Sequence, residues 1–168
     1  SMNPALICTY AALEGLVIGG LTWLFEVGLN LPGIGILAAL LTFMILGSMI
    51  AIYRAGLIKW DRNLSIAVYS ALSAIILIYI FSIIGSISGW YGIPYIHGAG
   101  PIGIAFSLFV VGIGALCLVA DFDFIERGVQ MGAPKQMEWR AAFGLMVTLI
   151  WIYLELLVLL AKIAIATR

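Results

Sequence analysis

Four carboxylates lie in or beside apolar runs long enough to cross a bilayer. The chemistry open to such groups is narrow: to carry a proton, to hold a cation through oxygen, or to pair with a base. Glu14 sits in YAALEGLV, Asp121 and Asp123 in LVADFDFIERG, and Glu155 in WIYLELLVLL. A charged side chain at the centre of a membrane helix costs about 2.5 to 3.5 kcal/mol even on the lenient insertion scale, so each of these positions asks for a reason. Residues two apart on a helix point about 200° apart, so Asp121 and Asp123 cannot both face one interior. Asp121 shares its stripe with Cys117 and Ile125, which favours it as the inward member, while Asp123 lines up with Arg127 at i, i+4 and can simply pair with it. Glu14 lies roughly 15 Å into its run at 1.5 Å per residue, near the midplane. Glu155 has apolar neighbours on both sides, no basic residue within one turn, and Trp151 on its face one turn earlier. The bland alternative is a helix ending in water, which fits the aspartates better than it fits Glu155.

The elements that must position these groups follow from composition. The chain of 168 residues is 64% hydrophobic and 10% charged, with a mean hydropathy of +1.20. A water-soluble domain averages about 25% charged residues, so this is the composition of a membrane protein. Five apolar runs approach or exceed the roughly 20 residues that a bilayer-crossing helix needs: 5–25, 34–53, 64–89, 102–120 and 139–160. They are continuously apolar rather than alternating, which disfavours a β-barrel. The expected fold is all-α, a polytopic transmembrane helix bundle forming a single domain over 1–168. Run 5–25 has no basic leader and contains Glu14, so it does not read as a cleaved signal. No repeat or low-complexity tract is evident.

Positive residues stay on the cytoplasmic side of a membrane. The connection between the second and third runs carries Arg54, Lys59 and Arg62, and that between the fourth and fifth carries Arg127, Lys135 and Arg140; the other two connections carry none. Both basic loops are therefore expected to be cytoplasmic, although Lys162 and Arg168 at the far end of the last run pull the opposite way. Trp23, Trp60, Trp90, Tyr91, Tyr95 and Trp139 fall near span ends, as an interfacial aromatic belt requires. Cys8 and Cys117 lie in different apolar runs and read as inert buried thiols. His97, in the glycine-rich YGIPYIHGAGP, has no second His or Cys beside it and reads as a loop residue rather than a metal ligand. The sequon Asn63-Leu64-Ser65 falls on the cytoplasmic side, where it is silent. Zero net charge offers no surface for nucleic acid. Gly15 with Gly19, and Gly85 with Gly89, have the four-residue spacing of close helix packing.

The stretch DFDFIERGVQMGAPKQMEWRAAFGLMVTLIWIYLELLVLLAKI resembles the C-terminal signature of the bacterial YccA-type branch of the Bax inhibitor (TMBIM) family. NPALICTYAALEGLVIGGLTWLFE resembles that branch's third helix, and GPIGIAFSLFVVGIGAL its sixth. The resemblance covers essentially the whole chain. It implies that the five runs are the third to seventh helices of a seven-helix fold, the first two lying outside this sequence, in the bacterial cytoplasmic membrane. It also implies a proton-sensitive calcium leak whose sensor pairs a sixth-helix carboxylate with a seventh-helix one, which match Asp121 and Glu155. The usual seventh-helix residue in the better-studied branch is aspartate, so Glu155 carries its charge one methylene further out. A second-helix arginine that pairs with the sensor there has no counterpart in this chain.

Two depths are open for the pair. If residues 128–144 run along the membrane surface, Asp121 and Glu155 meet, and with Ca²⁺ as the transported ion they are its candidate ligands. A simple hairpin turning near Gly132 to Pro134 instead separates them by roughly 15 Å, leaving midplane Glu14 as the first alternative partner for Glu155. Asp123, Glu14 and Arg127 are accessory candidates. Two mechanisms follow: conduction, with the carboxylates attracting Ca²⁺ and their proton occupancy biasing the helices, or a non-conducting regulator that binds another membrane protein such as a protease or secretion component. No nucleophile-base or metal-ligand constellation suggests an enzyme, and no cofactor is implied.

Overall fold

The computed structural model describes residues 3–90 and 94–168, without the side chains of residues 94 and 95; the interfacial roles expected for Tyr91 and Tyr95 lie outside the described residues. The described chain is all-α, with five helices long and apolar enough to cross a membrane. They are α1 (Pro4–Gly28), α2 (Ile34–Arg54), α3 (Arg62–Ile87), α5 (Pro101–Gln130) and α6 (Gln136–Ala166), with the short α4 (Pro94–His97) between α3 and α5.

Local chemistry sets the boundaries. Asn3 caps α1 by accepting from the Ala5 amide at 3.1 Å, with Pro4 in the first turn, where its missing N–H costs nothing. Asp61 caps α3 through the Leu64 amide at 2.7 Å. Past the end of α5, Gly132 takes φ +61, a left-handed conformation that glycine adopts without penalty, and the Ala133 amide donates back to the Gly128 carbonyl at 2.9 Å. The chain then turns at once into α6.

That turn corrects two expectations. The fourth run does not end at residue 120: α5 continues to Gln130, so both aspartates and Arg127 are helical. Nor do residues 128–144 lie along a surface, because α6 starts at Gln136 and returns antiparallel against α5. In hydrocarbon a backbone must satisfy its own hydrogen bonds, which favours carrying both helices through to the interface.

Helix α5 is the centre of the bundle, touching α2, α3, α4 and α6; α6 in turn touches α1 and α2. Leu118, Ile152 and Leu157 lock α5 to α6 and α2, while Val68 and Ile75 of α3 pack against Val110 and Ile113. Outward faces are apolar, with Leu16, Phe43, Leu77 and Ile87 all more than 60% exposed, as lipid contact requires. Trp23, Trp90 and Trp139 are exposed near helix ends, and Trp60 is half-buried.

Close backbone approach occurs at positions other than Gly15, Gly19 and Gly89, while Gly85 is buried in α3. No atom lies within 4 Å of a Cβ built on Gly15, Gly19 or Gly89. At Gly114 such a Cβ would meet Ile152 Cγ1 at 2.8 Å, and at Gly35 it would run into the Thr22 side chain. These two glycines let α5 approach α6 and α2 approach α1. Cys8 is exposed, contrary to the buried thiol expected, because α1 turns most of its surface outward; Cys117 is half-buried, and both are free.

Candidate functional site

Three contacts fix how α5 and α6 are aligned: Asp121 against Gly144, Gly114 against Ile152, and Gly103 against Lys162. In this register Glu155 stands opposite Val110, roughly 16 Å along the bundle from Asp121 at 1.5 Å per residue. The two carboxylates therefore do not meet, and the pairing expected from the resemblance is corrected by the straight antiparallel course of the two helices. Among the described residues, no group of three or more His, Cys, Asp or Glu side chains gathers as a metal cluster.

Asp121 faces α6. Its Oδ1 lies 3.5 Å from where a Gly144 Cβ would be, so glycine at 144 makes the room the carboxylate occupies. Thr148, one turn further on, gives its hydroxyl proton to the Gly144 carbonyl at 3.0 Å. Among the described residues Asp121 Oδ2 is buried with no hydrogen-bond partner, the Thr148 hydroxyl beside the carboxyl group being turned to the Gly144 carbonyl. Asp123, on the other side of α5, is held by Arg127 Nε at 2.8 Å, the i, i+4 pair expected from spacing. The next acidic group, Glu126, accepts from Tyr53 Oη across the α2–α5 boundary, where the Tyr53 and Phe122 rings lie 5.7 Å apart.

Glu155 lies deeper, half-buried between α6 and α3, and accepts from Tyr79 Oη at 2.7 Å. The ring of His97 stacks on Tyr79 at 6.2 Å, and Phe106 meets Tyr79 edge-on at 6.3 Å. Glu14 is not the partner of Glu155: it takes the hydroxyl proton of Tyr10, one turn earlier on its own helix, at 2.6 Å. Two turns beyond Glu155, Lys162 is buried. Its Nζ donates to the Ile96 carbonyl at 2.8 Å, the Gly103 carbonyl at 3.2 Å and Ser107 Oγ at 2.8 Å, using all three protons. Lys162 is thus an interior group joining α4, α5 and α6 rather than a flanking loop charge. Arg168, at the same end, donates to the Leu29 and Asn30 carbonyls.

Tyr79 and Lys162 were not picked out from sequence. Lys162 carried a signal, since it lies seven residues after Glu155 and so on the same helical face. For Tyr79 there was none, because its role depends on which face of α3 turns toward α6.

Fold and site together define a polytopic helical membrane protein with ionisable groups in the interior of its last two helices. The chain belongs to the Bax inhibitor 1 like family, whose model matches residues 1–165. No curated protein and no solved structure matches it.

Proposed function

We propose that this Bax inhibitor-like protein is a proton-sensitive calcium leak in which Asp121 and Glu155 act as two acidic stations in series rather than as a pair. The observation that carries this reading is the buried, partnerless Oδ2 of Asp121. An unsatisfied buried acceptor costs about 1–3 kcal/mol, a cost that an arriving proton or cation relieves. Glu155 is the second station, oriented by Tyr79. Lys162, fully hydrogen-bonded beyond it, ties α4 to the bundle at the far end. Deprotonated stations attract Ca²⁺ into the path; protonation withdraws that attraction and shifts the helix arrangement.

Six of the eight Lys and Arg residues, at positions 54, 59, 62, 127, 135 and 140, gather at the end of the bundle nearer Asp121. With Lys162 turned inward, the opposing end keeps Arg168, so positive-side retention supports a cytoplasmic placement of the Asp121 end in a bacterial membrane. The likeness of residues 121–163 to the YccA-type branch supports reading the five long helices as the third to seventh of that fold.

Calcium flux into proteoliposomes across roughly pH 5 to 8 tests the proposal. Parent protein should show a pH-dependent leak, Asp121→Asn a flat profile, and Glu155→Gln a reduced flux with its hydrogen bond from Tyr79 retained. No flux in the parent would favour the non-conducting regulator of another membrane protein.

A further inference from the structure

A groove of about 730 Å³ opens at the basic end, between the end of α2, the α2–α3 connection and the last turns of α5. That volume lies within the roughly 300–1,000 Å³ of small-ligand sites. Its walls carry opposite charges. On one side stand Arg54, the last residue of α2, and Lys59, with Trp60 next to it; on the other stand Asp123 and Glu126 of α5. Asp123 is already taken by Arg127, the one ion pair among the described residues. Arg54, Lys59 and Glu126 therefore face the groove without an ionic partner, Glu126 receiving only the neutral Tyr53 hydroxyl at the floor. Ile50, Ile58 and Phe122 supply an apolar lining toward the body of the bundle.

We propose that this groove binds the headgroup of a zwitterionic phospholipid bearing a primary ammonium, phosphatidylethanolamine being the type. The phosphate sits between Arg54 and Lys59, as charge-assisted hydrogen bonds favour. The ammonium turns to Glu126. The groove lies at the end of α2 beside Trp60, a residue type that favours the membrane interface, and Ile50, Ile58 and Phe122 of its lining receive the glycerol and upper acyl segments. A purely anionic head would bring no cation to Glu126, and a trimethylated ammonium has no N–H to donate to it. A bare divalent cation is disfavoured by the two unpaired basic side chains. This inference does not depend on the calcium reading.

The full chain, purified in detergent micelles doped in turn with phosphatidylethanolamine, phosphatidylcholine or phosphatidylglycerol of one acyl composition, is passed through gel filtration and the retained lipid quantified by mass spectrometry. Phosphatidylethanolamine should be retained about tenfold over the other two, the worth of one charge-assisted hydrogen bond. Glu126→Gln, which can still accept from Tyr53, should bring it down to the phosphatidylcholine level while leaving phosphatidylglycerol unreduced. Arg54→Gln with Lys59→Gln should lower all three together. Equal retention of the three lipids by the parent overturns the proposal whether or not a variant folds. Displacement by equimolar soluble glycerophosphoethanolamine would also overturn it, by showing a site for the free headgroup rather than for a lipid.

Discussion

The two halves of the α5–α6 pair treat buried charge in opposite ways. At Lys162 every proton of the ammonium has an acceptor, drawn from two helices, and the group is structural cement. At Asp121 one carboxylate oxygen is buried with nothing to bond, in a space opened by Gly144. A satisfied buried charge rigidifies its surroundings, whereas an unsatisfied acceptor carries a desolvation cost that a proton or an ion relieves. The difference sets a fully hydrogen-bonded ammonium at one end of the pair against an unsatisfied carboxylate oxygen at the other.

The comparison is broken most directly at Lys162. Lys162→Met strands three acceptors and should destabilise the protein by about 3 kcal/mol, read as an earlier transition on titration with a denaturing detergent. Next comes the seam between the halves, where Gly114→Ala drives a methyl into Ile152 and should cost about 2 kcal/mol in the same titration, while Gly15→Ala, facing open space, should leave the transition in place. Tyr79→Phe removes one hydrogen bond from Glu155 and should cost about 0.6 kcal/mol, the mean for such bonds between membrane helices. Smallest among the polar substitutions is Asp121→Asn, expected within about 0.5 kcal/mol of the parent, because it removes a charge with no ionic partner to lose. A cost at Asp121 as large as that at Lys162 would erase the distinction.

Much of the frame was legible beforehand. The five runs foretold five helices, and the i, i+4 spacing foretold the Asp123–Arg127 pair. Turning the chain near Gly132 already separated Asp121 from Glu155 by roughly 15 Å, close to the separation implied by the observed register. The meeting of the two carboxylates needed residues 128–144 to run along the membrane surface, and the helical continuation through Gln130 and from Gln136 removes it. Inward Lys162 escaped notice because position alone made it look like a flanking charge. The spacing of Gly15 and Gly19 misled because glycine is frequent in membrane helices whether or not it lies in a contact.

Sequence alone determined how many helices are long and apolar enough to cross a bilayer, since length and apolarity fix a span. Tertiary structure alone decided which way each helix is turned about its axis, and with it the Tyr79–Glu155 bond, the three acceptors of Lys162 and the unsatisfied oxygen of Asp121. The physical reason is that lipid is as apolar as the residues facing it. No hydrophobic driving force orients such a helix, and close packing and hydrogen bonding with its neighbours must do so instead.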